Sequence, residues 1–330
     1  MQQAREPFFS YANYLKQKYG QAAYRISVDA GFSCPNRGPD RSEPGCLYCD
    51  EHGARAPYQG YRDAVSGQRV IGSVQSLPQE WRLDLRNQID SGRRFISSRY
   101  GAGLYILYFQ AFSGTYAPVE TLREIYDFAL GCAPFRELAV STRPDCIDRS
   151  KAQLLSSYRS EDFEVWVELG LQSANDESLN RINRGHTVSD FETAFNICRA
   201  LGLKLTVHLI FGLPGEGIPE ILRTIAYVAA LKPEAVKIHN LHIPKGCPLY
   251  AEYLSGELNV PCADRHLQYT LQALERLPPE TVIMRLTCDT PEHLLAAPKR
   301  FEQKARFLSR VREEMKFRNT WQGRLYSSAG

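Results

Sequence analysis

Residues 164–212, EVWVELGLQSANDESLNRINRGHTVSDFETAFNICRALGLKLTVHLIFG, decide the fold. The stretch opens on Glu164–Gln172 and closes on Lys204–Gly212, two short runs rich in β-branched, aromatic and other apolar residues. Between them Asp190–Leu201 is amphipathic. Ser189 is placed to cap its start, and Gly202 follows its last turn. Strand, helix and strand in that order form a βαβ unit, which joins parallel strands.

The same rhythm runs outward in both directions. Further strands are expected at Tyr24–Ala30, Leu104–Gln110, Glu137–Arg143 and Ala235–Leu241. Helices are expected near Gln79–Ile96, Pro118–Leu130, Asp148–Tyr158 and Pro219–Leu231, with Pro118 and Pro219 in first turns. Two parallel architectures compete, an open doubly wound sheet and a closed or partly closed barrel. Side chains alternate along a strand. One face of the six strands reads Ile26, Leu107, Val140, Val167, Val207 and Ile238. The other reads Arg25, Ser27, Asp29, Tyr108, Gln110, Ser141, Arg143, Trp166, Glu168, Gln172, Thr206, His208, Lys237 and His239. A sheet sandwiched between helices is apolar on both faces. A polar second face therefore selects an α/β fold with a partial (β/α)6 parallel barrel that encloses a ligand.

The segment 1–20 precedes this pattern, 21–243 carries the barrel, and 244–330 forms a C-terminal extension. In the extension a helix is expected near Arg265–Leu277, a strand-like run at Thr281–Thr287 and a basic helix at Pro298–Phe317. Phe301, Ala305, Leu308, Val311 and Met315 would face the barrel. From Lys299 to Arg324 nine basic residues meet only Glu302, Glu313 and Glu314. The segment carries +6 on a chain of net charge +3, which suggests a polyanionic partner.

Hydrophobic residues make up 43% of the 330 and charged residues 23%. Disorder, collagen-like repeats and a coiled-coil rod are excluded by that composition. No run reaches the roughly 18 apolar residues of a membrane span. Met1–Ser10 lacks the apolar core of a leader, so the cytoplasm is the expected location. Nine cysteines, an odd number, argue against a disulfide framework and for a metal or cluster site.

That site is expected in the loop GFSCPNRGPDRSEPGCLYCD, after the first strand, where active sites of βα barrels lie. It carries Cys34, Cys46 and Cys49, with His52 close behind. Two chemistries fit: a closed Cys3His zinc site, or three thiolates holding a [4Fe-4S] cluster with one iron open to a small molecule.

The Cys46-Leu47-Tyr48-Cys49 ending resembles the cluster motif of radical S-adenosylmethionine (radical SAM) enzymes. The eleven residues between Cys34 and Cys46 exceed the usual gap. They are similar to the gap of the Elp3-type tRNA-modifying branch. VELGLQSAND, NRGHT, VHLIFGLPGE, KIHNLHIPKG and the tail RLT…WQG resemble, in order, the bacterial YhcC/YtqA-type family of Elp3-like radical SAM proteins. The likeness spans about Ser10 to Gly323.

The resemblance implies a partial barrel of radical SAM type. In it Cys34, Cys46 and Cys49 ligate the cluster, and the open iron chelates the amino and carboxylate groups of SAM. It implies Tyr48 near the adenine, and Glu168, beside Gln172, at the ribose or amino group. Arg143 would take the SAM carboxylate, and Gln110 and Ser113 would face the methionyl amine. Ile210, Gly212 and His239, with Asn240, would lie along the adenine. It further implies a 5′-deoxyadenosyl radical that abstracts hydrogen, and a flavodoxin- or ferredoxin-type electron donor. Together with the basic tail it implies tRNA as substrate, near the wobble uridine side chain, with the tail extending the rim of the mouth. The alternatives are a radical SAM enzyme acting on a metabolite or protein, and a zinc-stabilised RNA-binding protein.

Overall fold

The computed structural model describes residues 6–38, 42–49, 80–288 and 290–327. The six expected strands form: β1 (Tyr24–Val28), β2 (Tyr105–Phe109), β3 (Phe135–Thr142), β4 (Glu164–Gln172), β5 (Lys204–Phe211) and β6 (Ala235–Asn240). They pair in parallel in chain order. After β7 (Ile243–Pro244), β8 (Val282–Arg285) adds in parallel beside β6, and β9 (Leu295–Ala297) pairs with β7 as a separate antiparallel ribbon. The sheet thus has seven strands where the sequence led us to expect six. The strand-like run of the extension is the seventh, because Val282 and Ile283 align with Ala235 and Val236.

The helices are α1 (Tyr11–Tyr19), α2 (Trp81–Tyr100), α3 (Val119–Leu130), α4 (Arg149–Ser157), α5 (Asp176–Arg181), α6 (Val188–Ala200), α7 (Ile218–Leu231), α8 (Leu249–Ser255), α9 (Ala263–Arg276) and α10 (Lys304–Phe317). The apolar face of the sheet is buried against them in one core that includes Ile26, Leu107, Val140, Val167, Val207 and Ile238. Thr187, not Ser189, caps α6: its side chain accepts from the Asp190 N–H, and the Asp190 carboxylate accepts from the Thr187 N–H. This reciprocal capping box satisfies two end donors at once, which a lone Ser189 could not do.

The polar face lines the inside, and α1 closes its amino end. Leu15 of α1 is buried with Ile106, Ala139, Trp166, Ala235 and Val282. The free edge of β8 is covered as well, because Ile283 N–H donates to the Phe9 carbonyl at 2.8 Å and Ser10 bridges Ile283 in parallel. An unpaired edge would expose a row of backbone donors and acceptors.

The basic helix docks on the core by most of the face expected, with Val311 and Met315 buried in it and Phe301 and Leu308 packed against it. Phe307, Val311 and Met315 are its buried residues, and Ala305 is exposed. It packs on α9 and runs beside it from Asp264, bonded to Arg310, to Glu275, bonded to Thr320 just past its end. It therefore descends the outside of the barrel rather than extending the rim. Among the described residues no helix is long and apolar enough to cross a membrane.

Candidate cluster and cofactor site

The cysteine loop leaves β1 and is fastened to the segment after α5. Asn36, in a short 3-10 turn that follows Cys34, donates through Nδ2 to the carbonyls of Asn183 (2.6 Å) and Arg184 (2.9 Å). Gly185 has φ +72°, and a Cβ there would stand 2.2 Å from Asn36 Oδ1. A glycine is thus required twice over, by backbone conformation and by space. Asn183 Nδ2 donates to the Gly45 carbonyl at 2.9 Å, and Leu47 N–H to the Ile182 carbonyl at 3.0 Å. Asn183–Thr187, quoted from the sequence only as a motif, is thereby the clasp of the loop.

Arg184 is also the residue that sequence reasoning missed. It is 6% exposed, and its Nη1 lies 3.5 Å from Cys46 Sγ, with Arg143 Nη1 at 3.8 Å. Burial of Cys46 raises its thiol pKa, but the Arg184 and Arg143 guanidiniums outweigh that and hold it below the ordinary value. The thiolate is the form that ligates metal, so the donor chemistry of the loop fits a cluster. Arg184 Nη2 donates to the Gly170 carbonyl at 2.9 Å, and a Cβ on Gly170 would come within 2.6 Å of it. A buried guanidinium beside the thiols was signalled in the sequence only by its place in NRGHT.

Cys34 and Cys49 are half-buried beside Cys46 in the same loop. Among the described residues no three His, Cys, Asp or Glu side chains gather as they would around a single ion. His52 lies outside the described residues. Tyr48 and Leu47 pack with Ile210, Ile182, Leu213 and Cys247 in an apolar group at the mouth. Tyr48 and Ile210, both expected along the adenine, are thus brought together.

The other expected residues divide. Gln110 follows β2 directly, and Ser113 is fully buried. Arg143 holds Asp145 through two bonds of 2.8 Å. Gln172 ends β4 with φ +74°, a left-handed conformation uncommon for a non-glycine residue. Gly212 has φ +83°, and a Cβ there would meet Pro261 at 2.3 Å, so the close approach that it permits is made by the chain itself. His239 Nε2 and Asn240 Nδ2 are buried without a hydrogen-bond partner among the described residues.

Glu168 sits in the middle of β4, at the centre of a charged layer. Its Oε1 accepts from Arg25 Nη1 at 2.5 Å. Its Oε2 accepts from the Tyr108 hydroxyl at 2.6 Å and from Lys237 Nζ, with His208 Nε2 at 3.0 Å. Burial alone would raise its carboxyl, yet Arg25 and Lys237 hold it well below the usual carboxylate range. His208 is pushed down to about 4 by burial and by Lys237, so it is neutral here.

This fold and this loop are those of a known class. The family model of the Radical SAM superfamily matches residues 34–228, and that of its C-terminal domain matches residues 233–317. The chain belongs to the radical SAM superfamily. Within it the chain belongs with the Elp3-like YhcC/YtqA proteins. It is 35% identical to protein YhcC of Escherichia coli over 288 residues, 86% of this chain and 84% of that one. It is 30% identical to YtqA of Bacillus subtilis over 313 residues, 95% and 91% of the two chains. A more distant relative is the tRNA uridine(34) acetyltransferase of Methanocaldococcus infernus. It is 29% identical over 158 residues, 47% of this chain and 29% of that one. The solved structure of an archaeal Methanocaldococcus infernus Elp3 shares the fold with a TM-score of 0.63 at 19% identity, over 73% of this chain and 60% of that chain. The protein is accordingly a radical SAM enzyme whose cofactors are a [4Fe-4S] cluster and SAM, and with that membership the zinc reading is set aside.

Proposed function

We propose that the protein modifies tRNA, at or near the side chain of the wobble uridine. The observation that carries this is the match to a tRNA uridine(34) acetyltransferase over 158 residues of the chain. Cys34, Cys46 and Cys49 hold the cluster, with Arg184 and Arg143 keeping Cys46 ionised and Asn36 and Asn183 fixing the loop. When bound, cluster and SAM would supply one-electron cleavage of the sulfonium and hydrogen abstraction from the substrate. Tyr48 and Ile210 give the adenine an apolar wall. Gln172, Gln110, Ser113 and Arg143 present polar groups to the ribose and methionyl ends. Glu168 supports this wall from below by fixing Arg25, Tyr108 and Lys237. A flavodoxin- or ferredoxin-type protein would deliver the electron.

One observation favours the alternative, a metabolite or protein substrate. Arg310 is bound to Glu302 and Asp264, and Arg312 to Glu6, so part of the basic helix is neutralised by the chain itself. Modified nucleosides in tRNA from cells with and without the gene decide the matter. One nucleoside lost, or replaced by its precursor, supports the tRNA reading, and an unchanged profile rejects it.

A further inference from the structure

Above Glu168 a further guanidinium, that of Arg285, stands on the inner face of the sheet. β8 departs from its register with β6 between Val236 and Lys237: Ile283 aligns with Val236, and Arg285 with Lys237. The extra residue, Met284, forms a bulge, which re-aims side chains locally. Both bulge residues then serve the inside. Met284 Sδ touches Arg25 Nη2 at 3.3 Å and Thr206 Oγ1 at 3.5 Å, deep in the barrel. Arg285 lies level with Lys237, whose ammonium is on Glu168. Burial first, and the Arg285 guanidinium beside it, hold His239 and Lys237 away from their charged forms.

Two guanidiniums, Arg25 and Arg285, together with the Lys237 amine, therefore meet one bonded carboxylate, Glu168, among the described residues. Arg25 and Lys237 are its partners, and Arg285 has no acceptor among the described residues. His239 Nε2, on the next strand, is buried and has no partner among the described residues either. A guanidinium and a ring nitrogen on one face of neighbouring strands, near their carboxyl ends, can form a receptor for a planar or tetrahedral oxyanion. We propose that Arg285 and His239 bind a carboxylate or phosphate of the substrate at the carboxyl ends of β6 and β8. The site lies across the sheet from the cysteine loop at β1. The inference rests on the radical SAM reading of the chamber and names the chemistry of what enters it.

The test is calorimetric titration of the anaerobically reconstituted protein, saturated with SAM, at low ionic strength. One arm uses sodium phosphate and the other sodium acetate. The wild type should bind one anion saturably, and the tighter of the two names the group. Arg285→Met should weaken that binding tenfold or more, and Arg285→Lys should restore most of it. Melting temperature and iron content serve as controls on folding. No saturable binding in either arm, or equal binding by Arg285→Met, overturns the proposal. Anion binding that disappears once SAM is added overturns it too, because the site would then be that of the SAM carboxylate. A tRNA nucleoside profile unchanged by gene deletion, with anion binding intact, removes the tRNA reading and leaves this one standing.

Discussion

At the floor of the barrel Glu137 has no exposed surface, and it is bonded by Tyr19 at 2.7 Å, Tyr11 at 3.4 Å and Lys18 at 3.4 Å. Glu164 beside it takes Tyr14 at 2.8 Å, Trp166 Nε1 at 3.1 Å and Lys18 at 2.6 Å. Both carboxylates are matched by donors from α1 or from the sheet. At the mouth His239 Nε2 and Asn240 Nδ2 are buried without partners among the described residues, and Gln172 holds a left-handed backbone. Buried polar groups are normally satisfied. A saturated layer therefore marks structure, and an unsatisfied layer marks the space a ligand completes.

The largest expected effect is at the mouth. Cys46→Ala should drop iron uptake on anaerobic reconstitution from about four per chain to background. Its apo-protein should melt within a few degrees of wild type, and a large loss of apo stability would show that the loop is structural as well. Glu168→Ala should do the opposite. It strands Arg25 and Lys237 in a buried layer and should destabilise the protein by about 3–5 kcal/mol in urea unfolding. Unchanged unfolding would move Glu168 from support to ligand contact.

Acid should come next. His208 and His266 are neutral in the fold, each with a pKa of about 4, lowered first by burial. An unfolded imidazole titrates near about 6.5. Their contribution is thus full above that pH and is lost as pH falls from 6.5 toward 4, by about 1.4 kcal/mol per pH unit for each ring. Melting curves across this window check it, and a flat stability profile would contradict the buried neutral rings. Arg184→Met removes one of the two cations on Cys46. The pH profile of thiol alkylation in the apo-protein should shift upward by about one unit, the size of a lost charge-assisted hydrogen bond. Tyr19→Phe at the floor is the mildest change. It should lower unfolding free energy by about 1 kcal/mol while iron uptake remains that of wild type.

The alternation of strands and helices was legible because periodicity is local. Each of the six strands was located to within two residues, and the inward face, from Arg25 to His239, was read from a period of two. The loop of Cys34, Cys46 and Cys49 was legible from spacing and from its place after β1. Pairings between distant residues were not. Glu168 and Arg25 are 143 positions apart and meet only because β1 and β4 share one curved sheet. Arg184 reaches Cys46 over 138 positions through the clasp at Asn36.

The sequence by itself determined the class of fold, the polar interior and the three thiols, since each follows from residue type at short spacing. The tertiary structure alone decided that Thr281–Thr287 supplies a seventh strand, that a bulge turns Arg285 to the level of Lys237, and that the basic helix lies along α9. The physical reason is that edge pairing, register and helix docking are choices among distant surfaces of similar apolar character. Those choices are settled only when every buried donor and acceptor has to be matched at once.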